Sequence, residues 1–190
     1  NPLIIFENWF NQAKESDIDK PNAMTLATVG NHGQVHARIV LLSSFDINGF
    51  VFHANYKSDK GAQLAANPSA CLLFWWDCLG YQVRINGQIS KTTTEESDAY
   101  FSGRPRGSQV GAWASEQSQV IKSRQVLYDR EAEFEIKYSG KEVPRPAHWG
   151  GYRLSPTTIE FWVNQENRLH ERTLYTRQKS GSWEQIILAP

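Results

Sequence analysis

Hydrophobic and polar positions follow one period at the start of the chain and another over most of the rest. The first period is helical, with apolar residues at Leu3, Phe6, Trp9, Phe10 and Ala13. Pro21 interrupts this pattern, and from Ala23 onward short apolar runs alternate with turn residues. The pattern predicts an N-terminal helix over residues 2–14, followed by a region built mainly of strands.

The strand-type runs are short, rich in aromatic and β-branched residues, and bounded by turn-forming residues. They predict strands at Ala23–Gly30, Gln34–Ser44, Phe50–Asn55, Ala70–Trp76, Tyr81–Lys91, Gly150–Leu154, Thr158–Val163, Arg168–Arg177 and Trp183–Leu188. Tight turns are expected at residues 31–33 and 46–49, and Asn86-Gly87 indicates a bulge within its strand.

Two helical regions interrupt the predicted strands. The first covers Ser58–Ala66, with Ser58 as N-cap and Asn67-Pro68 ending the helix. The second is a block over about residues 94–138, with helical character in Glu95–Gly103, in parts of Gln109–Ala114, and from Ser123 to about Tyr138. Strands of this length, joined by tight turns, predict an antiparallel barrel with added helices. No linker divides residues 1–190, so we expect a single domain.

Charge and composition exclude several classes of function. The chain has 20 basic and 20 acidic residues, so no overall field favours binding to nucleic acid or to an anionic membrane. No apolar stretch approaches the roughly 20 residues needed to span a bilayer, and no signal-peptide pattern is present. The two cysteines, Cys71 and Cys78, are too few for a disulfide framework or a zinc site, and we interpret them as reduced thiols in or near the core. We therefore expect a cytoplasmic protein in which any anion site is a local cluster of Arg and Lys.

One such cluster is the segment Arg168-Leu169-His170-Glu171-Arg172. Alternate residues of a strand share a face, so Arg168, His170 and Arg172 are expected to line up. Like charges this close repel one another unless an anion lies against them, and Arg offers a forked donor geometry for phosphate. The alternative is a solvated face whose charge is offset by Glu171.

A second cluster begins at Arg38, which precedes the continuous apolar run Ile39-Val40-Leu41-Leu42. Such a run is typical of a strand that is buried on both faces. A cation at the edge of a buried strand is costly unless it is paired with a carboxylate or with a ligand anion. The sequence is consistent with either partner.

The third cluster runs from Tyr100 to Ser108 and includes Arg104 and Arg106. It brings a phenol, guanidinium groups and hydroxyls together at a predicted helix end, and all of these groups can donate hydrogen bonds to a phosphate. The helix start at Ser58-Asp59-Lys60-Gly61 can likewise bind phosphate through backbone N–H groups. Helix capping and surface charge would explain the same residues.

Other kinds of chemistry find little support in the sequence. The five histidines show no spacing typical of a metal site, and neither common Gly-rich phosphate loop is present. No Ser or Cys lies in a nucleophile motif. Three separate anion-binding clusters without a metal or a nucleophile fit a bound phosphorylated cofactor.

Taken together, these segments resemble the pyridoxine/pyridoxamine 5′-phosphate oxidase family, and the similarity covers nearly the whole chain. The matching segments are Ile159–Arg172, Arg38–Leu42, Tyr100–Trp113, Gln117-Ser118, Trp149–Tyr152 and Leu188–Pro190. Several long motifs in the right order are far more specific than any one short pattern.

The resemblance implies an FMN-binding Greek-key split β-barrel, working as a homodimer with FMN at the subunit interface. By position, it implies that FMN is bound by Arg38, Ile39, Val40, Leu41, Leu42, Ser43, His53, Ala54, Ser58, Lys60, Gln82, Gln117, Ser118, Trp162 and Arg172. The substrate phosphate is then expected at Tyr100, Arg104 and Ser108. Arg168 and His170 are expected to lie over the pyridine ring of the substrate as the catalytic residues.

The resemblance also implies a reaction. In this family a hydride passes from C4′ of a phosphorylated pyridine substrate to N5 of the flavin, and pyridoxal 5′-phosphate is formed. Molecular oxygen then accepts the electrons and gives hydrogen peroxide, and the amine substrate also loses ammonia. FMN supplies the redox chemistry, while the protein supplies orientation and electrostatics.

Three positions depart from the family pattern. Ser43 stands where the family usually has Lys, Asp59 where it usually has Arg, and Val163 where it usually has Gln. The first two changes remove positive charge near expected phosphate sites, where one charge-assisted contact contributes about 1.5–3 kcal/mol.

These departures keep two alternatives open. The chain is also similar to the phenazine-biosynthesis flavin oxidases, which share the Arg-Leu-His-Glu-Arg pattern but act on unphosphorylated tricyclic acids. A flavin-binding protein without catalytic activity is the other alternative. Retention of Tyr100, Arg104 and Ser108 favours the phosphorylated substrate.

Overall fold

Backbone pairing joins eight strands into one antiparallel sheet. The computed structural model describes every residue from Asn1 to Pro190. The strands are β1 (Ala23–Val29), β2 (Val35–Asp46), β3 (Gly49–Asn55), β4 (Ser69–Trp76), β5 (Tyr81–Lys91), β6 (Trp149–Val163), β7 (Glu171–Arg177) and β8 (Trp183–Leu188). The α-helices are α1 (Pro2–Glu15), α2 (Asp59–Ala66), α3 (Thr94–Ser102), α4 (Arg106–Ala114) and α5 (Gln125–Lys137). The predicted class, mainly β with added helices, is confirmed.

The strand order is β3-β2-β1-β4-β5-β6-β7-β8, and β3 also pairs with β6, which closes β1–β6 into a barrel. Hairpins join β1 to β2 and β2 to β3, and β4 returns beside β1, which is the Greek-key arrangement. The 15-residue β6 is shared, because residues 149–154 pair with β3 while residues 158–163 pair with β7. The β7–β8 hairpin therefore extends the sheet beyond the closed barrel.

Helix α1 closes one end of the barrel with its apolar face. Phe6 is fully buried, and its ring lies edge-on to Phe45 and to Phe50, each with 4.9 Å between centroids. Trp9 stacks on Tyr81 with 4.1 Å between centroids. The helical period seen in the sequence therefore places a row of aromatic rings against the barrel interior. No helix of the chain is long and apolar enough to cross a membrane.

Helix α2 covers the other end of the barrel. Leu64 is buried in the main core, and the side chain of Gln63 accepts a hydrogen bond from Thr28 at 2.6 Å. Ser58 caps the helix as predicted, since its hydroxyl accepts from the backbone N–H of Gly61. The cap fixes the start of α2 and, with it, the direction in which Lys60 projects.

Helices α3, α4 and α5 pack beside the barrel around a small second core. Its buried members are Phe101, Val110, Tyr138, Val143 and Trp149. Because Trp149 is the first residue of β6, this core joins the helical block directly to the barrel wall. The predicted helical block over about residues 94–138 is thus confirmed, with α4 starting earlier than expected, at Arg106.

The predicted break between Gly150–Leu154 and Thr158–Val163 is wrong, because both segments belong to the single strand β6. Pro156 lies opposite Gly87, where the register between β5 and β6 shifts. A proline is tolerated at such a bulge because its missing N–H is not needed by the hydrogen-bond ladder. The irregularity predicted at Asn86-Gly87 is confirmed in position, but the extra residue, Thr157, lies on β6 rather than on β5.

Two predictions about burial are also wrong. Ile39 and Leu41 are 65% and 49% exposed, so β2 is buried on one face only. Leu42 faces the barrel interior, whereas nothing in the single chain covers the outer side of this apolar run. Cys71 is half-buried, but Cys78 is exposed in a short 3-10 turn between β4 and β5 rather than in or near the core.

Replacing Phe6 with Ala is expected to lower the free energy of unfolding by about 3–5 kcal/mol, because it opens a cavity among packed rings. Urea denaturation followed by tryptophan fluorescence measures this change. Ile4→Ala is the matched control on the same helix, since Ile4 is 56% exposed and its loss should be small. Equal losses in the two variants would show that α1 does not anchor the barrel through Phe6.

Candidate active site

A cavity of about 480 Å³ lies where β2 and β3 meet helices α3 and α4, and is referred to as the main cavity. It is lined by Ile39, Val40, Leu41, His53, Ala54, Asn55, Lys60, Tyr100, Arg104, Ser108, Gly111, Ala112, Ser115, Gln117 and Trp149. The three residues predicted for the substrate phosphate, Tyr100, Arg104 and Ser108, are therefore together. They share this cavity with several of the predicted flavin-binding residues.

Aromatic rings form one wall of the main cavity. His53 stacks on Tyr100 with 3.7 Å between centroids and 7° between planes, and Trp149 lies nearly parallel, 5.2 Å from His53. The Ser43 hydroxyl lies 2.9 Å from the carbonyl of Val51 and 3.0 Å from His53 Nδ1. Because the carbonyl can only accept, Ser43 donates to it and accepts from His53. Neutral His53 therefore carries its proton on Nδ1.

The protonation of His53 follows from these surroundings. Burial, together with the positive charge of Arg104, lowers the pKa of His53 from 6.5 to about 4, and Glu96 opposes this shift. At neutral pH the imidazole is therefore uncharged. It supports the ring of Tyr100 without adding a cation to the cavity.

Arg104 has a buried N–H group that no atom of the chain accepts. Its Nη1 is buried without a hydrogen-bond partner, and its guanidinium lies 4.5 Å from the ring centroid of Trp149. Burial lowers the pKa of Arg104, while Tyr100 acts in the opposite direction. An unsatisfied buried donor is costly, so this atom marks a position suited to an acceptor from a ligand.

A second cavity, the side cavity, has a volume of about 270 Å³ and is lined only by polar and charged residues. These residues are His36, Arg38, Asp59, Lys60, Gln63, Gln117 and Ser118. Lys60 and Gln117 also line the main cavity, so the two adjoin. The Lys60 ammonium donates to Gln117 Oε1 at 2.7 Å and to the Ser58 hydroxyl at 3.3 Å.

Arg38 is held by neutral acceptors. Its Nη1 donates to Thr28 Oγ1 at 2.6 Å and to the carbonyl of Leu26 at 3.2 Å, and its Nη2 donates to Gln63 Oε1 at 2.9 Å. Burial lowers the pKa of Arg38, and Asp59 opposes this shift. The alternative in which a carboxylate pairs with Arg38 is therefore wrong. Its charge is positioned by the fold without being neutralised by direct contact.

A second group of predicted residues lies on the outer face of β5, β6 and β7. Gln82 is opposite Trp162, and Trp162 is opposite Arg172, so the three side chains form a cross-strand row. The ring of His170 packs against Trp162 with 4.4 Å between centroids. Neither these four residues nor Arg168 line the main cavity or the side cavity. Within one chain, the predicted site residues thus fall into two groups.

The expected alignment of Arg168, His170 and Arg172 on one strand face is wrong. Strand β7 begins only at Glu171, and residues 166–168 form a short 3-10 turn. Asn167 and Arg168 have φ values of 54° and 60°, in the left-handed region that no strand uses. The backbone therefore turns at Arg168, and its side chain is not in register with that of Arg172.

A hydrogen bond orients His170 at the end of this turn. The backbone N–H of Gln165 donates to His170 Nδ1 at 3.2 Å, so the neutral ring carries its proton on Nε2. The Gln165 side chain also donates to Glu171 Oε1 at 2.7 Å, which links the two ends of the turn. His170 is thus able to offer a donor at Nε2.

Glu160 is a residue that the sequence interpretation missed. It is 3% exposed, and its carboxylate accepts from Arg84 and from Arg172, whose Nε lies 2.8 Å away. Burial acts to raise the pKa of Glu160, but the hydrogen bonds from Arg172 and Arg84 hold it below its usual range. The sequence feature that could have indicated Glu160 is its position two residues before Trp162, because alternate residues of a strand lie on the same face. Its role is to anchor Arg172.

Three other predicted flavin-binding residues line neither cavity. Leu42 is buried in the main core, and Ser43 reaches the main cavity only through its hydrogen bond to His53. Ser58 is fully buried at the start of α2 and contacts the side cavity only by accepting a hydrogen bond from Lys60. Conversely, Trp149 and Asn55 line the main cavity although neither was among the predicted site residues.

Comparison with protein-family models matches residues 10–137 to pyridoxamine 5′-phosphate oxidase. It matches residues 149–190 to the pyridoxine 5′-phosphate oxidase C-terminal dimerisation region. The chain belongs to the pyridoxamine 5′-phosphate oxidase family. Two relatives named pyridoxine/pyridoxamine 5′-phosphate oxidase, from Nostoc sp. PCC 7120 and Paraburkholderia xenovorans LB400, are 53% identical over 190 residues and 55% identical over 191. Each comparison covers 100% of this chain and 89% of the relative.

Two solved structures are also similar to this chain. PhzG from Burkholderia lata, in complex with tetrahydrophenazine-1-carboxylic acid, superimposes with a TM-score of 0.94 at 32% identity, covering 100% of this chain and 93% of PhzG. An FMN-binding protein from Nostoc punctiforme gives a TM-score of 0.80 at 15% identity, with 100% of this chain and 98% of that chain covered. This second likeness concerns the fold alone.

The predicted family, split-barrel fold and FMN cofactor are confirmed, and the protein is an FMN-dependent oxidoreductase. The residues present fit such a cofactor. The side cavity offers two cations, Arg38 and Lys60, which suit a flavin phosphate, although the carboxylate of Asp59 lines it as well. The main cavity beside it adds the apolar wall of Ile39 and Leu41.

The free energy of unfolding is expected to fall as the pH is lowered from about 6.5 to about 4. Over this range His53 stays neutral in the folded protein but takes up a proton on unfolding, because its folded pKa is about 4 and its ordinary pKa is 6.5. Above this range the ring is neutral in both states and adds no pH dependence. Urea unfolding at a series of pH values measures the slope.

His53→Phe, which keeps an aromatic ring but cannot titrate, is the matched comparison for this slope. It should lose the component of the pH dependence that His53 contributes. If its slope equals that of the unmodified protein, the assigned neutrality of His53 is wrong.

Proposed function

We propose that this chain oxidises pyridoxine 5′-phosphate and pyridoxamine 5′-phosphate to pyridoxal 5′-phosphate, with O2 as electron acceptor and H2O2 as product. Bound FMN supplies the two-electron redox chemistry. The residues of the chain bind the substrate phosphate, orient the pyridine ring and hold the cofactor. Identities of 52–55% to relatives named for this reaction support the proposal.

The observation that carries the proposal is Arg104, which lines the main cavity and whose Nη1 has no hydrogen-bond partner within the chain. Tyr100 and Ser108 line the same cavity, and His53 stacked on Tyr100 is neutral. A cation that shares a cavity with two hydroxyl-bearing residues suits a phosphate monoester, which presents only acceptors when fully ionised. In this proposal Arg104 is the main charge that binds the substrate.

The side cavity is the proposed place for the FMN phosphate. Arg38 and Lys60 supply positive charge there, and the start of α2 directs backbone N–H groups toward the same place. Gln117 and Ser118 complete the polar lining. With the phosphate at this point, the flavin ring system would extend toward the main cavity and meet the substrate.

We also propose a homodimer with FMN at its interface. The outer-face row of Gln82, Trp162 and Arg172 is separate from the two cavities within one chain, so a second copy is needed to bring the row to them. The match of residues 149–190 to a dimerisation region supports this arrangement. Exposed Ile39 and Leu41 beside the main cavity supply an apolar surface for such a contact.

Arg168 and His170 are the proposed catalytic residues, contributed to the cavity of the partner chain. His170 would donate from Nε2 to the substrate, since its Nδ1 already accepts from the backbone N–H of Gln165. Arg168 would lie over the pyridine ring, held there by the left-handed backbone of its turn. Both residues then orient the substrate carbon that is oxidised.

An oxidase of tricyclic acids is the second candidate, favoured by the TM-score of 0.94 to PhzG and by the neutral Ser43. A carboxylate would accept from Arg104 as a phosphate does. A substrate panel distinguishes the two. Pyridoxine 5′-phosphate, pyridoxamine 5′-phosphate, unphosphorylated pyridoxine and tetrahydrophenazine-1-carboxylic acid are each incubated with the FMN-loaded protein, and peroxide and product absorbance are recorded. Turnover of the tricyclic acid alone would refute the proposal.

Replacing Arg104 with Ala is expected to raise KM for pyridoxine 5′-phosphate about 10- to 100-fold, because a charge-assisted hydrogen bond of about 1.5–3 kcal/mol is lost. Steady-state peroxide release measures this change. Arg106→Ala is the matched control, since Arg106 instead bonds Glu135 and the carbonyls of Tyr138 and Lys141. A similar rise in KM in both variants would argue against a specific phosphate contact at Arg104.

The two arginines of the C-terminal segment are expected to differ in effect. Arg172→Ala should reduce flavin occupancy, because it removes the guanidinium that Glu160 holds beside Trp162. Arg168→Ala should cut turnover while leaving most FMN absorbance in place. Absorbance of the purified variants and their kcat values test both expectations, and the reverse pattern would contradict this division of roles.

A further inference from the structure

Asp59 places a negative charge in the cavity proposed for the FMN phosphate. It is the first residue of α2 and lines the side cavity together with Arg38 and Lys60. Its backbone N–H donates to the Ser118 hydroxyl at 3.2 Å, which fixes it at the cavity wall. The side cavity thus holds two cations and one carboxylate, with His36 as its other titratable group.

The carboxylate acts on both cations without forming an ion pair with either. Burial lowers the pKa of Lys60, as does the nearby Arg38, and Asp59 opposes the shift. Asp59 likewise opposes the effect of burial on the pKa of Arg38. No carboxylate lies within 4.0 Å of either cation, so Asp59 moderates their repulsion from a distance.

We propose that Asp59 is a specificity-determining residue that weakens the preference of this chain for FMN over unphosphorylated flavin. The inference rests on the proposed position of the FMN phosphate in the side cavity. In the absence of a phosphate, Asp59 serves as the counter-charge of Arg38 and Lys60. When the phosphate binds, the same carboxylate repels it, while the ribityl chain and ring system of a flavin without phosphate do not meet this repulsion.

A second property of Asp59 makes the proposal testable. An acidic residue in the first turn of a helix stabilises the helix through its dipole, and Asp59 is the acid in the first turn of α2. Removing its charge is therefore expected to destabilise the flavin-free protein slightly and to tighten FMN binding. If Asp59 had only a structural role, removing its charge would lower both the stability of the flavin-free protein and its affinity for FMN.

The experiment titrates the flavin-free full chain with FMN and with riboflavin, following the quenching of flavin fluorescence. Asp59→Asn is expected to lower Kd for FMN about three- to tenfold and to leave Kd for riboflavin unchanged, because only the phosphate meets the removed charge. The thermal midpoint of the flavin-free variant should fall. Glu95→Gln is the matched control, since Glu95 is an exposed acid in the first turn of α3 and lies outside the side cavity.

Lys60→Ala separates this inference from the proposed cofactor position. If Lys60→Ala weakens the binding of FMN but not of riboflavin, the proposed phosphate position holds. In that case, an affinity of Asp59→Asn for FMN that is unchanged or weaker overturns only the role proposed for Asp59. If Lys60→Ala changes Kd for FMN and Kd for riboflavin equally, the phosphate position and the inference both fail. An equal change of the two Kd values in Asp59→Asn also overturns the inference. Asp59→Ser, a second variant without the charge, repeats the measurement if Asp59→Asn unfolds.

Discussion

The pairing of β3 with β6 is the contact on which the rest of the structure depends, because it closes the barrel. It sets His53 opposite Gly151 and Asn55 opposite Trp149, so the stacked wall of the main cavity lies across this seam. Gly151 is required there, since a Cβ would come within 2.4 Å of the Thr92 hydroxyl. The helical block is fastened at the same place, through Trp149 in its small core.

Charge within the chain is arranged in two complementary ways. On the outer face of β5–β7, Glu160 satisfies Arg84 and Arg172 internally, so this part of the surface is already paired. In the main cavity, Arg104 has neutral and aromatic neighbours and no internal acceptor for Nη1. The first arrangement holds a guanidinium in a defined orientation, while the second leaves a donor for a ligand. The same residue type thus serves both structure and binding, and the nearby acceptors decide between them.

Much of the fold could be predicted from local patterns, and the exceptions have physical causes. The helical period of α1 and the Ser58 cap depend on neighbours in sequence, and both were predicted correctly. The exposure of Ile39 and Leu41 depends on what covers β2, which no local pattern contains. The turn at Arg168 rests on two left-handed residues without glycine, so alternation wrongly favoured a strand. For the candidate site, motifs pointed to Tyr100 and Arg104, which do share the main cavity, but the contact of Glu160 with Arg172 depends on which strands pair.

Sharing β6 between two ladders also constrains how the chain unfolds. One half of the strand is in register with β3 and the other half with β7, while β5 pairs along both halves. A slip by one residue would reverse the faces of all these pairings at once, turning Ile159 and Phe161 outward. The barrel and the C-terminal hairpin therefore hold each other in register. They should open as one cooperative unit, with backbone amides on both sides of β6 exchanging with solvent at similar rates.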